Sequence, residues 1–245
     1  MLCSGSTGNC CVIEDKNTKL MIDCGGTKGH LMSSLDSIKV TINDLDALLL
    51  THGHTDHISQ IKHFKGIKTF GTFVCANHNV SLIGTHDTFN INDLTITSLP
   101  LSHDFPKTIG YKIEGSSTLV YITDTGYVNE KLFNEIHNPD YIVLECNHDP
   151  SMLMKTKRPF QTKQRIMSTE GHLSNAECTR VLSKIIGDKT KSIILAHISK
   201  EGNTLELARN SVIEGLKAYQ VDITNIDIYA AEAFNLTMMG DMIHD

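Results

Sequence analysis

Short apolar runs with the length and composition of β-strands dominate the first two thirds of the chain. NCCVIED and KLMIDCG predict a hairpin around Lys16 and Asn17, and DALLLTH and KTFGTFVCA each predict one further strand. FNINDLTITSLPLSH, TIGYKIEG and STLVYITDTG then predict consecutive strands joined by turns rich in Asn, Asp, Gly and Ser. The pattern is typical of a region built mainly from sheets.

Helical periodicity becomes stronger towards the C-terminus. SNAECTRVLSKIIG places its apolar residues on one face, opens with a capping box at Ser174 and Glu177 and stops at Gly187. NTLELARNSVIEGLKAY repeats this pattern, while KSIILAHIS and NIDIYAA predict strands between and after the two helices. Two groups of strands with helices between and after them favour two face-to-face sheets covered by helices, in one α+β domain spanning residues 1–245.

Composition narrows the class of protein without giving a function. The chain has 245 residues, 7 Cys, no Trp and a formal net charge of −6. The odd number of cysteines, with no CxxC motif, argues against a disulfide framework and against a zinc ribbon. No apolar run reaches the ~18 residues of a membrane span, and the first residues lack a signal-peptide pattern, so we expect a cytoplasmic protein without a membrane partner. Because the net charge is negative, a polyanionic partner would require a local basic patch.

The segment LLLTHGHTDHIS carries four ligand-type side chains in one bend. The preceding strand should end at the bend, and a helix should begin near Ile58. Alternate residues at a strand end project to one side, so His52 and His54 can hold one metal ion. Asp56 and His57, further round the bend, can face a second ion about 3.5 to 4 Å away. A lone histidine is usually structural, but this string after an apolar strand indicates a metal site.

Three further ligand-type residues follow apolar strands: His103 in LPLSHD, Asp124 in VYITDTG and His197 in IILAHIS. Scattered core histidines would show no such preference, whereas a site shared along one sheet edge requires it. Structural zinc sites are closed sets of four ligands rich in cysteine, and no cysteine falls in the ligand string. The pattern therefore predicts a hydrolytic metal centre.

With these motifs the chain resembles the metallo-β-lactamase fold superfamily, which implies a four-layer αββα sandwich and two divalent metal ions, zinc or manganese or iron. The resemblance assigns His52, His54 and His103 to one ion, Asp56, His57 and His197 to the other, and Asp124 as the bridge. A hydroxide shared by both ions would attack the substrate, and Asp56 would orient it or accept its proton.

Other features narrow the branch of the superfamily. Lactam-cleaving enzymes carry a cysteine at the position of Asp124, and flavo-diiron proteins carry a carboxylate at that of His54. The pieces SGSTGN, NHDP and GHLSN instead resemble the YycJ/WalJ family, cytoplasmic relatives of tRNase Z described as exonucleases that degrade DNA from its 5′ ends. This resemblance implies that His172 protonates the leaving group. The alternative for His172 is a loop histidine hydrogen-bonded to the chain.

Other candidate residues have open roles. Asp23 ends the strand KLMID and is expected to orient a ligand histidine through the ring nitrogen that does not face the metal. His148 would contact substrate, support the metal site or belong to a structural turn. Ser4 and Ser6, in SGSTGN, would offer polar groups to a phosphate or form an ordinary turn.

The segment KTKRPFQTKQR carries five basic residues in eleven and no acidic one. Its predicted nucleic-acid contacts are Lys155, Lys157, Arg158, Lys163 and Arg165, with Phe160 stacking on a base. The alternative is an ordinary solvated surface. The remaining histidines show no ligand spacing: His30, His63, His78, His86, His137 and His244.

The sequence thus predicts a dinuclear-metal phosphodiesterase whose substrate is nucleic acid, in particular DNA degraded from 5′ to 3′. Two alternatives remain open. One is a small-molecule hydrolase of the glyoxalase II thioesterase or lactonase kind, and the other is a metal-binding protein without turnover. Ligand spacing does not determine which metal is bound or the oligomeric state.

Overall fold

Two sheets of strands organise the computed structural model, which describes residues 1–240. The first sheet contains, in spatial order, β1 (Cys11–Asp15), β2 (Thr18–Ile22), β3 (Ala47–Leu49), β4 (Thr69–Gly71) and β5 (Ser81–Leu82). The second contains β6 (Thr88–Ile91), β7 (Leu94–Pro100), β8 (Ile109–Glu114), β9 (Thr118–Ile122), β10 (Tyr141–Glu145), β11 (Ser192–Ala196) and β12 (Asp227–Ala230), also in spatial order. Residues 241–245 of the predicted domain, and with them His244, lie outside the described residues.

Helices cover the outer face of each sheet. The helices of residues 1–240 are α1 (Lys28–Ser37), α2 (Thr55–Ile58), α3 (Pro150–Lys155), α4 (Phe160–Ile166), α5 (Asn175–Ile185) and α6 (Leu205–Ala218). Of these, α1 covers the first sheet, and α5 and α6 cover the second. One buried cluster joins the facing sides of the two sheets, a second joins the first sheet to α1, and a third joins the second sheet to α5 and α6. The layers are therefore helix, sheet, sheet, helix, and the predicted αββα sandwich is confirmed. No helix within residues 1–240 is both long and apolar enough to cross a membrane.

Strand direction determines where polar side chains can meet. β2 and β3 are parallel, as are β9, β10 and β11 in the second sheet. β7 and β9 each run antiparallel to β8 and so point the same way. The carboxyl ends of the parallel strands in each sheet therefore meet at one edge, where ligands bind in sheets of this kind.

Several predicted boundaries were wrong. The strand expected over KTFGTFVCA is only Thr69–Gly71, and Val74 beyond it is 78% exposed. The helix after the ligand string begins at Thr55 instead of near Ile58, because the amides of His57 and Ile58 already bond to the carbonyl of His54.

The C-terminal helix signals were partly wrong as well. α5 has half of the predicted capping box, with the Ser174 hydroxyl accepting from the Glu177 amide at 3.2 Å. It ends at Ile185, two residues before Gly187, because Ile186 adopts an extended backbone conformation.

Candidate metal centre

Three predicted site residues lie at or just after the carboxyl ends of strands, in left-handed backbone conformation. Asp23 follows β2 with φ 57°, Asp124 lies just beyond β9 with φ 56°, and His197 follows β11 with φ 53°. Such conformations are costly for residues other than glycine and persist where the surrounding structure fixes them. Each strand therefore ends in a sharp change of direction that turns a polar side chain into the same edge.

His52, His54 and His103 form the first group of candidate ligands, with one nitrogen from each within 4.8 Å of the others. His52 Nε2 lies 3.0 Å from His54 Nδ1. His103 Nδ1 lies 3.1 Å from the Gly171 carbonyl oxygen, so its Nε2 is left to face the cluster. Burial, followed by the nearby His57, holds the pKa of His52 well below its usual range. His52 is therefore neutral, as a metal-binding imidazole must be.

Asp56, His57 and His197 form the second group. The Nε2 atoms of His57 and His197 each lie 3.8 Å from Asp56 Oδ2. Asp124 lies between the two groups, with Oδ2 3.1 Å from His57 Nε2 and Oδ1 3.4 Å from His197 Nε2. Its Oδ1 is also 4.0 Å from His103 Nε2. The seven residues that the sequence singled out are thus brought together in two adjacent groups.

The cluster has the chemistry of a cation site. Within residues 1–240, Asp124 Oδ2 and His197 Nε2 are buried and make no hydrogen bond. Burial lowers the pKa of His197, but the Asp124, Asp56 and Glu145 carboxylates outweigh this effect and raise the pKa to about 10. Buried carboxylates therefore attract positive charge here, and divalent ions would supply it in place of protons. Imidazole and carboxylate donors suit zinc, manganese and iron.

Asp23 supports the second group from below. Its Oδ2 lies 2.7 Å from His57 Nδ1, and its two oxygens accept from the Thr51 amide at 2.9 Å and the Thr51 hydroxyl at 2.8 Å. All of these groups are buried. Because a carboxylate can only accept, it keeps the His57 proton on Nδ1 and leaves Nε2 to face the cluster.

Glu145, which sequence reasoning missed, orients His172 and His197 as Asp23 orients His57. Its Oε1 lies 2.7 Å from His172 Nδ1 and 3.0 Å from His197 Nδ1, and its Oε2 accepts from the amides of Thr125 and Leu173. Burial raises the pKa of Glu145, but His172 and His197 outweigh it and lower the pKa to about 2. Its local signal is a charged residue at the end of the apolar strand YIVLE, which does not identify the histidines that Glu145 contacts.

Two asparagines were also missed. Asn9 Nδ2 lies 2.9 Å from His57 Nε2 and 3.4 Å from Asp56 Oδ2, so the SGSTGN loop does reach the cluster. Asn147 Nδ2 donates to the His197 carbonyl at 2.8 Å, which holds the left-handed turn. Neutral amides carry no charge or ligand pattern that would distinguish them from loop residues in a sequence.

The two serines of that loop have different surroundings. Ser4 is buried, and its hydroxyl accepts from the His197 amide at 2.7 Å. Ser6 is exposed on the turn. Ser4 therefore supports the strand end that carries His197, whereas Ser6 faces solvent.

The cluster has a closed floor and an open side. The side chains of Asp124 and His197 are each only 3% exposed. Those of His54, Asp56 and Asp104 are 37%, 25% and 25% exposed. A substrate can therefore approach from the side of these three residues.

The family model described as "Beta-lactamase superfamily domain" matches residues 18–198. The chain belongs to the metallo-β-lactamase superfamily. Within it, the chain is 33% identical over 237 residues to the exodeoxyribonuclease WalJ of Streptococcus pneumoniae serotype 2, covering 88% of this chain and 87% of WalJ. It is 31% identical over 232 residues to the exodeoxyribonuclease YycJ of Bacillus anthracis, covering 89% and 88%.

The solved structure of human tRNase Z, short form, superposes with a TM-score of 0.64 at 13% identity, covering 98% of both chains. At that identity the likeness shows the fold alone. The predicted membership of the WalJ/YycJ family is confirmed, and the protein is a hydrolase of the metallo-β-lactamase superfamily.

His172 and His148 both lie near the second-sheet side of the centre. The His172 ring stacks on that of His197 at 5.0 Å and lies 5.2 Å from that of His103, and its side chain is 14% exposed. His148 is 2% exposed and makes no hydrogen bond through Nδ1 to any described residue. Burial lowers the pKa of His148 to about 4, so its ring is neutral at pH 7.

The six residues predicted to contact nucleic acid differ in burial and in their partners. Lys163 is buried, and its ammonium donates to the carbonyls of Met154 and Thr156, both at 2.7 Å, so it links α3 to α4 and does not face a phosphate. The prediction that Lys163 contacts nucleic acid was therefore wrong. The other five predicted residues are placed on or beside α3 and α4. Lys155, Lys157 and Arg165 are exposed, Phe160 is 57% exposed, and Arg158 is half-buried and paired with Glu201.

Arg165 connects this segment to the centre. Its guanidinium pairs with Asp104, whose Oδ1 lies 3.2 Å from His103 Nε2. α4 therefore borders the open side of the cluster.

Proposed function

We propose that the protein is a divalent-metal-dependent phosphodiesterase that removes nucleotides from the 5′ end of DNA. The observation that carries this proposal is the position of His172, a histidine beside the ligand cluster that is not one of the seven candidate ligands. His172 is partly exposed and is held by a buried carboxylate through Nδ1, so its Nε2 is left for proton transfer. The exodeoxyribonuclease names of the two relatives support DNA as the substrate.

The candidate ligands would be His52, His54, His103, Asp56, His57, His197 and the bridging Asp124. Two ions held there, zinc or manganese or iron, would supply water of lowered pKa and neutralise charge on a phosphoryl group.

The chain's own residues provide the remaining chemistry. Asp56, at the rim of the cluster, orients the attacking water and accepts its proton. His172 gives a proton to the departing oxygen, and Glu145 keeps its ring in place through the contact at Nδ1. The exposed residues Lys155, Lys157 and Arg165 contact the phosphate backbone.

A competing role for His172 follows from the same geometry. Together with Asp124, Glu145 and His197 it offers four ligand atoms within 4.8 Å of one another. Glu145, however, already accepts from two backbone amides and two imidazoles, which disfavours it as a ligand. The metal content of a His172 variant therefore distinguishes the two roles, because replacing a ligand should lower it and replacing a proton donor should not.

The test uses protein stripped with a chelator and reloaded with Mn²⁺ or Zn²⁺. Its substrates are duplex DNA labelled at the 5′ or the 3′ end, single-stranded RNA and a lactoylglutathione thioester. We expect metal-dependent release of mononucleotides from the 5′ end. Thioester turnover with intact nucleic acid would instead place the protein in the small-molecule branch, and metal binding without any turnover would leave a binding protein.

Variants test the individual roles. His54→Ala and Asp56→Ala should abolish hydrolysis. His172→Ala should lower turnover by roughly 10²- to 10⁴-fold while retaining the metal. His137→Ala is the matched control, because His137 is exposed on the chain before β10, at the opposite end of that strand from the centre. Loss of metal from the His172→Ala protein would contradict the proton-donor role.

A further inference from the structure

The open side of the metal centre is bordered by two phenylalanines. Phe105 lies in the loop after β7, with its ring centroid 5.5 Å from that of His54 and 5.8 Å from that of His52. Phe73 lies in the loop after β4 and meets Phe105 edge to face at 5.3 Å and 72°. Both rings are half-buried. An aromatic wall, Phe73 and Phe105, therefore stands beside the most exposed candidate ligand, His54.

The ligand string itself makes room for this wall. A Cβ added at Gly53 would lie 2.5 Å from Phe105 Cζ and 3.2 Å from Phe73 Cε2. Gly53 lies between His52 and His54, so the absence of a side chain there allows both rings to pack over the HGH turn. The aromatic wall is thus built into the same turn that presents two candidate ligands.

Hydrogen bonds hold the two loops together. The Thr72 hydroxyl donates to the Lys107 carbonyl at 2.7 Å, and the Thr108 hydroxyl donates to the Phe105 carbonyl at 2.9 Å. The first bond joins the two loops and the second lies within the Phe105 loop, and such restraints reduce the entropy lost when a ligand packs against the rings.

The outer part of the same two loops is apolar and cationic. Val74, next to Phe73, is 78% exposed, and Lys107 is an exposed cation two residues after Phe105. A flat apolar group that is joined to a phosphate matches this combination, since aromatic rings stack with bases and a lysine pairs with a phosphate.

We propose that Phe105 and Phe73 form a nucleobase subsite, which holds the base of a nucleotide adjoining the bond to be cleaved. This inference rests on the proposed nuclease function and specifies how the substrate is positioned. An alternative is that the rings only shield the histidines from water. Shielding would affect every substrate equally, whereas a base subsite distinguishes a substrate with a base from one without.

The first test compares two DNA duplexes that differ only at the 5′-terminal nucleotide, which is either normal or abasic. For Phe105→Leu we expect kcat/KM to fall roughly 5- to 150-fold on the normal end. On the abasic end the loss should be less than about twofold, because no stacking is there to be lost. Phe105→Tyr retains the ring and should restore activity. Equal losses on both duplexes, or no loss on either, would overturn the proposal.

Tyr219→Leu is the matched control. Tyr219 is 52% exposed at the end of α6, the helix that connects the parallel strands β11 and β12. Its position is therefore at the end of the sheet opposite His197, and its loss should leave the ratio between the two duplexes unchanged. Metal content is measured for each variant, and a Phe105→Leu protein that fails to load metal is replaced in the comparison by Phe105→Met.

The second test reads stacking without turnover. Metal-loaded His172→Ala protein is titrated into DNA that carries 2-aminopurine as its 5′-terminal base. Stacking on the aromatic wall should quench the fluorescence, and Phe105→Leu should abolish the quenching while Tyr219→Leu does not. If the wild type cleaves neither duplex, the nuclease proposal fails, yet the quenching still reports on the subsite; absence of quenching in a protein that does cleave DNA would refute the subsite alone.

Discussion

Replacing Asp23 by asparagine tests how far one buried carboxylate controls the metal centre. The Asp23→Asn side chain has almost the same volume but cannot accept at both terminal atoms. In the native protein the carboxylate accepts from His57 Nδ1 at 2.7 Å and from the amide and hydroxyl of Thr51 at 2.9 and 2.8 Å. At least one of these contacts must be lost in the variant.

The magnitude follows from the position of His57. Its Nε2 faces the second group, so a ring that is free to rotate or to change tautomer binds the ion less well. Loss of such a supporting contact typically costs 10- to 100-fold in metal affinity. That factor corresponds to about 1.4 to 2.8 kcal/mol. The first group should be affected less, because His103 is held independently by the Gly171 carbonyl.

The assay is a competition titration of metal-free protein against a chromophoric chelator, in which the proposed two-ion centre should give two binding steps. Asp46→Asn is the matched control. Asp46 also accepts from a backbone amide, that of Lys19 at 2.8 Å, but it lies before β3, at the end of the strand remote from the site. We expect one weakened step in Asp23→Asn and two native steps in Asp46→Asn. Two native affinities in Asp23→Asn would refute the idea that this carboxylate orients His57.

Three further predictions concern stability and the basic segment. Lys163→Ala should lower the free energy of unfolding by about 1.5 to 3 kcal/mol in urea unfolding, because two carbonyls lose a charged donor. Lys157→Ala should leave that free energy unchanged but should lower the salt dependence of DNA binding by about one ion in titrations at several salt concentrations. Ser4→Ala should cost about 1 to 3 kcal/mol, since the buried His197 amide loses its acceptor, whereas Ser6→Ala should change stability by less than about 0.5 kcal/mol in the same urea assay. Burial lowers the pKa of His148 from 6.5 to about 4 in the folded protein, so the unfolded chain takes up the proton first as the pH falls. The metal-free protein should therefore lose stability between pH 6.5 and pH 4, and His148→Gln should reduce the slope of the free energy of unfolding by up to about 1.4 kcal/mol per pH unit. An unchanged slope would contradict the burial argument.

Residues marked by a local pattern, such as Asp23 at the end of a strand, were predictable, but the partners that a residue meets across the fold were not. The seven candidate ligands follow strands or occupy one bend, so period and strand ends point to them directly. Glu145 acts through His172 and His197, which are 27 and 52 residues away along the chain. Such contacts depend on which strands become neighbours, and a single sequence does not determine strand order.

The prediction that every basic residue of KTKRPFQTKQR contacts nucleic acid was partly wrong for a related reason. Its charges are adjacent in sequence, but the turn between α3 and α4 directs Lys163 inwards onto the carbonyl groups that end α3. No apolar pattern in the sequence of this short helix indicates that its lysine is buried. The predicted strand over KTFGTFVCA failed because the chain leaves the sheet after Gly71, where Phe73 packs on Phe105 instead.

Charge explains how a protein with a net charge of −6 could act on a polyanion. Five carboxylates lie in or against the candidate centre, namely Asp23, Asp56, Asp124, Glu145 and Asp104, and Asp104 is paired with Arg165. Two divalent ions would add four positive charges, which equals the charge of the four carboxylates other than Asp104. The centre would therefore attract a phosphodiester more strongly when loaded than when empty, so DNA affinity itself should depend on metal, not only the cleavage step. Long-range attraction then depends on the exposed basic residues beside α4, while the metal ions would add positive charge where the phosphodiester makes contact.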